Sequence, residues 1–147
     1  MRRAFHFRLE RIQRVRALLE QEARLALQLA QVDLARLDAA LAASDAALAE
    51  ARDHERQQLE PGRFSASQAL AHQTVRQTLL AQRTRLFAER QSANEKVEQA
   101  HLRHQTTLTD LRALERLSDR EASDHAQSLA IHDQAELDDQ TQLRRRA

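Results

Sequence analysis

Two adjacent residues constrain this chain more than any others. Pro61 and Gly62 are its one proline and one glycine, and they stand side by side in Glu60-Pro61-Gly62-Arg63-Phe64-Ser65. Proline lacks a backbone donor and its ring clashes with the preceding helical turn. Glycine costs a helix about 1 kcal/mol relative to alanine and readily takes positive φ. A helix start follows at once. Ser65 is placed to cap, and Gln68 three residues later completes a capping box. Phe64 and Ala69 occupy the positions of a hydrophobic staple. The stretch 60–65 therefore reads as a turn between two long helices, with a kink in one continuous rod as the alternative.

Composition excludes an ordinary globular core. Of 147 residues 3% are aromatic, all Phe, so burial is restricted to a narrow seam. Ala, Leu, Gln, Arg and Glu dominate, which is the bias of a coiled coil. With no cysteine there is no disulfide, no thiol nucleophile and no zinc–thiolate site. No apolar run approaches the ~18 residues of a membrane span. The N-terminus is basic but lacks an uninterrupted apolar stretch behind it, so a secretory signal is not expected.

The 23 basic and 22 acidic residues nearly cancel, which gives little bulk attraction to nucleic acid. Their distribution is uneven. Arg2, Arg3, Arg8, Arg11, Arg14 and Arg16 face only Glu10 in the first 16 residues. Acids prevail from Asp119 to Asp139, and Arg144, Arg145 and Arg146 end the chain basic.

Apolar spacing predicts helix one over about 5–59. Its seam runs Ile12, Val15, Leu19, Ala23, Leu27, Ala30, Leu34, Leu37, Leu41, Ser44 and Leu48. Three successive steps of four between Val15 and Leu27 read as a stutter. Helix two is predicted over about 66–143, with a poorer seam of Val75, Leu79, Gln82, Leu86, Ala93, Val97, Ala100, His104, Leu108, Leu111 and Leu114. At 1.5 Å per residue the helices would be about 80 and 115 Å long. The fold class is all-α: one antiparallel two-helix coiled-coil hairpin spanning 1–147, with the second helix longer.

Folding the chain at Pro61-Gly62 sets opposite each other residues whose numbers sum to about 123. Leu48 then meets Val75, Leu37 meets Leu86, Ala30 meets Ala93, Val15 meets Leu108 and Ile12 meets Leu111. His104 falls opposite Leu19. Phe5 falls opposite Ser118, so helix two is uncovered beyond about Asp119. That segment still carries Ala122, Ala126, Leu129, Ile131, Leu137 and Leu143 at helical spacing. An uncovered apolar stripe reads as a binding element, against the plainer reading of a frayed polar tail.

Chemistry finds little to work with. Glu98, His101 and His104 share a helix face, but a di-iron bundle site needs a second Glu-x-x-His, which the chain lacks. One glycine cannot make a phosphate loop. A pair of helices offers no concave pocket in which to perturb a catalytic group. The residues predict no enzyme, no catalytic residues, no cofactor and no metal.

The opening Phe5-x-Phe7-x-Leu9-Glu10-Arg11-Ile12, followed by Val15-Arg16, resembles the N-terminal signature of the FliJ family of flagellar type III export proteins. Ala135-Glu136-Leu137-Asp138-Asp139 and then Arg144 to Arg146 resemble that family's acidic-then-basic C-terminus. Stalk proteins of injectisome-type secretion systems look similar. The resemblance implies an antiparallel two-helix stalk without chemistry of its own. Its partners would be the hexameric export ATPase and its regulator, the cytoplasmic domain of the export gate, and export chaperones. It would couple ATP hydrolysis to export from the cytoplasm, at the inner face of the membrane. The ATPase-facing residues implied are Phe5, Phe7, Leu129, Leu137, Asp138, Arg144, Arg145 and Arg146. Gate contact is implied at Val75, Thr78, Leu79 and Gln82. A generic structural or adaptor coiled coil is the competing class.

Overall fold

A computed structural model describes residues 5–58 and 65–146; of Leu143, Arg145 and Arg146 it describes the backbone. The predicted turn at Pro61-Gly62 and the Phe64–Ala69 staple involve residues outside this set. The chain is all-α, an antiparallel helical hairpin of α1 (Glu10–Gln58) and the longer α2 (Ala66–Arg146). No described helix is long and apolar enough to cross a membrane.

The start of α2 follows the capping box. The Gln68 backbone N–H donates to Ser65 Oγ, and the Ser65 N–H donates to Gln68 Oε1, each at 3.3 Å. Two of the helix's orphan donors are thereby satisfied.

Burial along α1 recurs in an unbroken alternation of three and four. Sheltered residues at this spacing, from just before the helix, are Leu9, Gln13, Arg16, Glu20, Ala23, Leu27, Ala30, Leu34, Leu37, Leu41, Ser44, Leu48, Ala51 and Glu55, with Glu10, Leu19, Ala40 and Ala47 half-buried beside them. From Ala23 to Leu48 this is the expected seam. Toward the N-terminus it is not. Ile12 and Val15 are 48% and 55% exposed, and no stutter interrupts the repeat. A constant 3.5-residue period keeps one stripe facing the partner helix. Once Ala23 to Leu48 fix its phase, the positions further back are Glu20, Arg16 and Gln13, whatever their polarity.

On α2 the same period passes through sheltered Ala69, His72, Arg76, Leu79, Leu86, Arg90, Ala93, Val97 and Ala100, then His104, Thr107, Leu111, Leu114 and Ser118; Arg83, which falls in the repeat, is exposed, and the expected Leu108 is half-buried. Val75 is 52% exposed and Gln82 faces solvent, so both leave the expected seam. His72 and Arg76 take the sheltered positions beside Val75. A long side chain can lay its methylenes along a seam and keep its charged head at the rim.

Two compact units divide the chain, Arg24–Arg103 and Met1–Ala23 with His104–Ala147. Within the first, Arg90 binds Asp38, Arg83 binds Asp45, and Arg76 binds Glu55 at 2.9 Å. Within the second, Arg16 binds Asp110 at 2.9 Å and His104 binds Glu20 at 3.0 Å. The residue numbers of these pairs sum to between 124 and 131, always above 123. Helical side chains lean toward their own N-terminus. In an antiparallel pair both leans raise the sum, which gives the offset its sign.

Core burial is thin. Phe7, Ala23, Leu48, Ala93 and Ser44 are buried among the described residues. Ser44 is the odd member, because its hydroxyl finds no partner. Leaving such a group dry and unpaired costs about 1–3 kcal/mol, and alanine is also the better helix former. Ser44→Ala is therefore expected to stabilise the protein by about 1 kcal/mol, read as a higher urea midpoint at constant m-value. A lower midpoint would mean that the hydroxyl is bonded.

Candidate functional site

The residues on which the resemblance to the FliJ family rests lie in the unit formed by Met1–Ala23 and His104–Ala147. Helix one was expected from about residue 5, but α1 begins at Glu10. Residues 5–7 are irregular, Arg8 and Leu9 form a turn, and the Glu10 N–H donates to the Phe7 carbonyl at 3.1 Å. The heptad explains why the helix stops there. Counting back from Leu9, a continued helix would put His6 on the seam and Phe7 on the outer face. Unwinding one turn lets Phe7 turn inward, where it is 5% exposed.

The arm also reaches further than a helix would. Phe5 accordingly meets His125, ring centroids 5.7 Å apart and tilted by 50°, in place of Ser118. Arg8 lies 4.0 Å from Glu121. Among the described residues the arm therefore contacts α2 as far as His125, past the expected limit at Asp119. Glu121 and His125 both face the arm. Glu10 opens α1 with its carboxylate toward the positive helix end and between His6 and Arg14.

Beyond His125 the apolar residues of α2 differ in exposure. Ile131 and Leu137 are 72% and 58% exposed, while Leu129 is half-buried. Asp138 accepts a hydrogen bond from Gln134 Nε2 at 3.4 Å, and Arg144 is exposed. The side chains of Arg145 and Arg146 lie outside the described residues. His132, Asp133 and Glu136 bring ligand-type atoms within 4.8 Å of one another on this single helix. The stretch is therefore an exposed helix face with apolar residues set among both charge signs.

A second exposed apolar stripe was assigned to the seam by the sequence reading. Ile12 and Val15, with half-buried Leu19, line an open groove bordered by Arg11 and Arg16. Carrying the heptad phase back from Ala23 without a stutter would have exposed them.

Of the residues implied for a gate contact, Val75, Thr78 and Gln82 are exposed and Leu79 is half-buried. Thr78 bonds its hydroxyl to the Thr74 carbonyl at 3.0 Å. Val75 and Leu79 line a groove with Ala47, Ala51 and His54. These four belong to the unit Arg24–Arg103.

Glu98 accepts from Asn94 Nδ2 at 3.0 Å, and His101 is exposed. His104 was expected to face Leu19; its partner is Glu20, with the two side chains only 19% and 13% exposed. Replacing His104 by Leu is therefore expected to destabilise, because a sheltered carboxylate would lose its donor. Breaking one half of a buried pair is costly even where the intact pair is nearly neutral.

Comparison with protein-family models, with curated proteins and with solved structures returned no match. The class defined by this chain's own geometry is an antiparallel helical hairpin with a longer second helix, an arm-covered segment and an exposed amphipathic end.

A double-mutant cycle tests the Glu20–His104 pair. His104→Leu and Glu20→Leu should each destabilise by about 1–3 kcal/mol. The double variant should recover much of the loss, leaving a coupling of at least about 0.5 kcal/mol. Strict additivity in urea denaturation would remove the pair from the account.

Proposed function

We propose that this chain is a non-enzymatic stalk or adaptor of a flagellar type III protein export apparatus, akin to the FliJ family. It binds the hexameric export ATPase through the end formed by the N-terminal arm and the tail of α2. It contacts the export gate through the outer face of α2 around Val75, Thr78 and Gln82. Coupling of hydrolysis to export passes through the helix pair as a mechanical element, at the cytoplasmic face of the membrane. The ATPase regulator and export chaperones complete its set of partners.

One observation carries this reading. The signature phenylalanines are used structurally, with Phe7 buried and Phe5 set at a tilt against His125. They shape an end whose exposed apolar residues, Ile131 and Leu137, stand beside Asp138 and Arg144. Apolar anchors supply most interface energy, and mixed rim charges steer orientation and encounter. A ring pore bearing both signs of charge is a fitting receptor. Ile12 and Val15, exposed in the same unit among arginines, extend the apolar surface available to it.

The site's architecture sets the design of the test. Removing residues 120–147 would strip the arm of Glu121 and His125, so substitutions beyond the arm are cleaner. Ile131→Ser with Leu137→Ser is expected to weaken binding to the hexameric export ATPase by tenfold or more and to abolish its stimulation, with helicity by circular dichroism unchanged. Arg144→Glu should weaken binding at low salt and matter less at high salt. A native-cell pull-down that retains no hexameric ATPase, or a double variant that stimulates as well as wild type, would overturn the proposal.

A further inference from the structure

The unit Arg24–Arg103 holds a histidine pair that the stalk reading does not use. His54 lies on α1 and His72 on α2, with ring centroids 5.6 Å apart and the rings inclined at 62°. One carboxamide sits between them. Gln58 Nε2 is 3.2 Å from His54 Nε2, and Gln58 Oε1 is 3.3 Å from His72 Nε2. Both contacts are satisfied when the Gln58 amide donates to a lone pair on His54 and the His72 ring N–H donates to the amide oxygen. Two imidazole Nε2 atoms from opposite helices thus converge on one small polar group.

We propose that His54 and His72 form a two-histidine site for a borderline divalent transition-metal ion, with zinc as the type case. Neutral imidazole is the most common protein ligand for such ions. Binding requires the Gln58 amide to swing aside and the rings to close on an ion about 2.0–2.1 Å from each nitrogen. His72 moves its proton from Nε2 to Nδ1, a tautomer exchange with no net change in charge. The Gln58 amide oxygen and water are available for the remaining positions. No covalent or redox step is involved.

The position gives the site a physical role. From Asp53 to Gln58 the chain offers no large apolar side chain, and the sheltered positions here are Glu55, His72 and Arg76. An ion shared by residues 54 and 72 would clamp the helices where apolar packing is weakest. It binds the folded pairing and not the separated chain, so it stabilises by mass action.

The test uses the full-length protein, stripped of metal, with Zn(II) alone as the probe. Wild type is expected to bind zinc in calorimetry and to melt at a higher temperature as zinc rises. His54→Ala and His72→Ala should each weaken that binding by more than about tenfold, since loss even of groups supporting a ligand costs 10–100-fold. Both variants should also lose the thermal shift. His132→Ala, which disrupts the one-helix cluster on the tail, should keep both. His54 is exposed and His72 half-buried, so folding is preserved, and far-UV circular dichroism verifies it. The proposal is overturned if wild type binds no zinc at millimolar concentration. It is equally overturned if either of the two variants retains wild-type affinity, or if only His132→Ala loses it. None of these outcomes bears on ATPase binding.

Discussion

A pair of helices can bury only the stripe where they touch, and that stripe must keep one period along its length. This constraint governs the molecule more than any single contact. Ala23, Leu27, Ala30, Leu34, Leu37, Leu41, Ser44 and Leu48 set the phase. The same phase then forces Glu20, Arg16 and Gln13 into shelter and turns Ile12 and Val15 outward. It also sends Phe7 to the outer face of any continued helix, so the chain unwinds before Glu10 to bury it. The exposed apolar residues of this unit and the arm that flanks them are consequences of one periodicity.

Polar residues on the seam are accommodated by pairing. Arg76, Arg83 and Arg90 on α2 reach Glu55, Asp45 and Asp38, and Arg16 and His104 reach Asp110 and Glu20. Exposed pairs of this kind contribute little each. Glu20 and His104 differ because both are largely sheltered. Such pairs fix which residues can face each other, since a one-turn slip would leave every partner stranded. A seam poor in large apolar residues has few other means of specifying register. Ser44, sheltered without a partner, shows the opposite case, in which polarity brings no compensating contact.

The centre of this architecture was legible in the sequence, and its ends were not. The capping box at Ser65 and Gln68 was readable because its mechanism is local. The seam from Ala23 to Leu48 was readable because it is apolar. Ile12, Val15 and Val75 were misassigned because a search for apolar residues follows hydrophobicity even where the period points elsewhere. Glu20, Arg16, His72 and Arg76 were invisible to it, since a sheltered charge is recognisable only through its partner on the other helix. The arm was missed for a related reason: Phe7 fits a helical pattern locally, and only the phase set far along α1 shows that it would face outward. The exposed tail was anticipated, but its start was placed at Asp119 because a helical arm was assumed, and the non-helical residues before Glu10 bring Phe5 to His125 instead.

The most direct measurement of the central claim is a crosslink across the seam. Ala30 and Ala93 border the same groove, on α1 and α2 respectively. Single cysteines at these two positions have no competing thiol, because the chain contains none. Oxidation of the Ala30→Cys, Ala93→Cys protein should give a disulfide within one chain, with the monomer retained on a non-reducing gel. Exclusive formation of a covalent dimer joined through position 30 of two chains would contradict the antiparallel pairing and the account built on it.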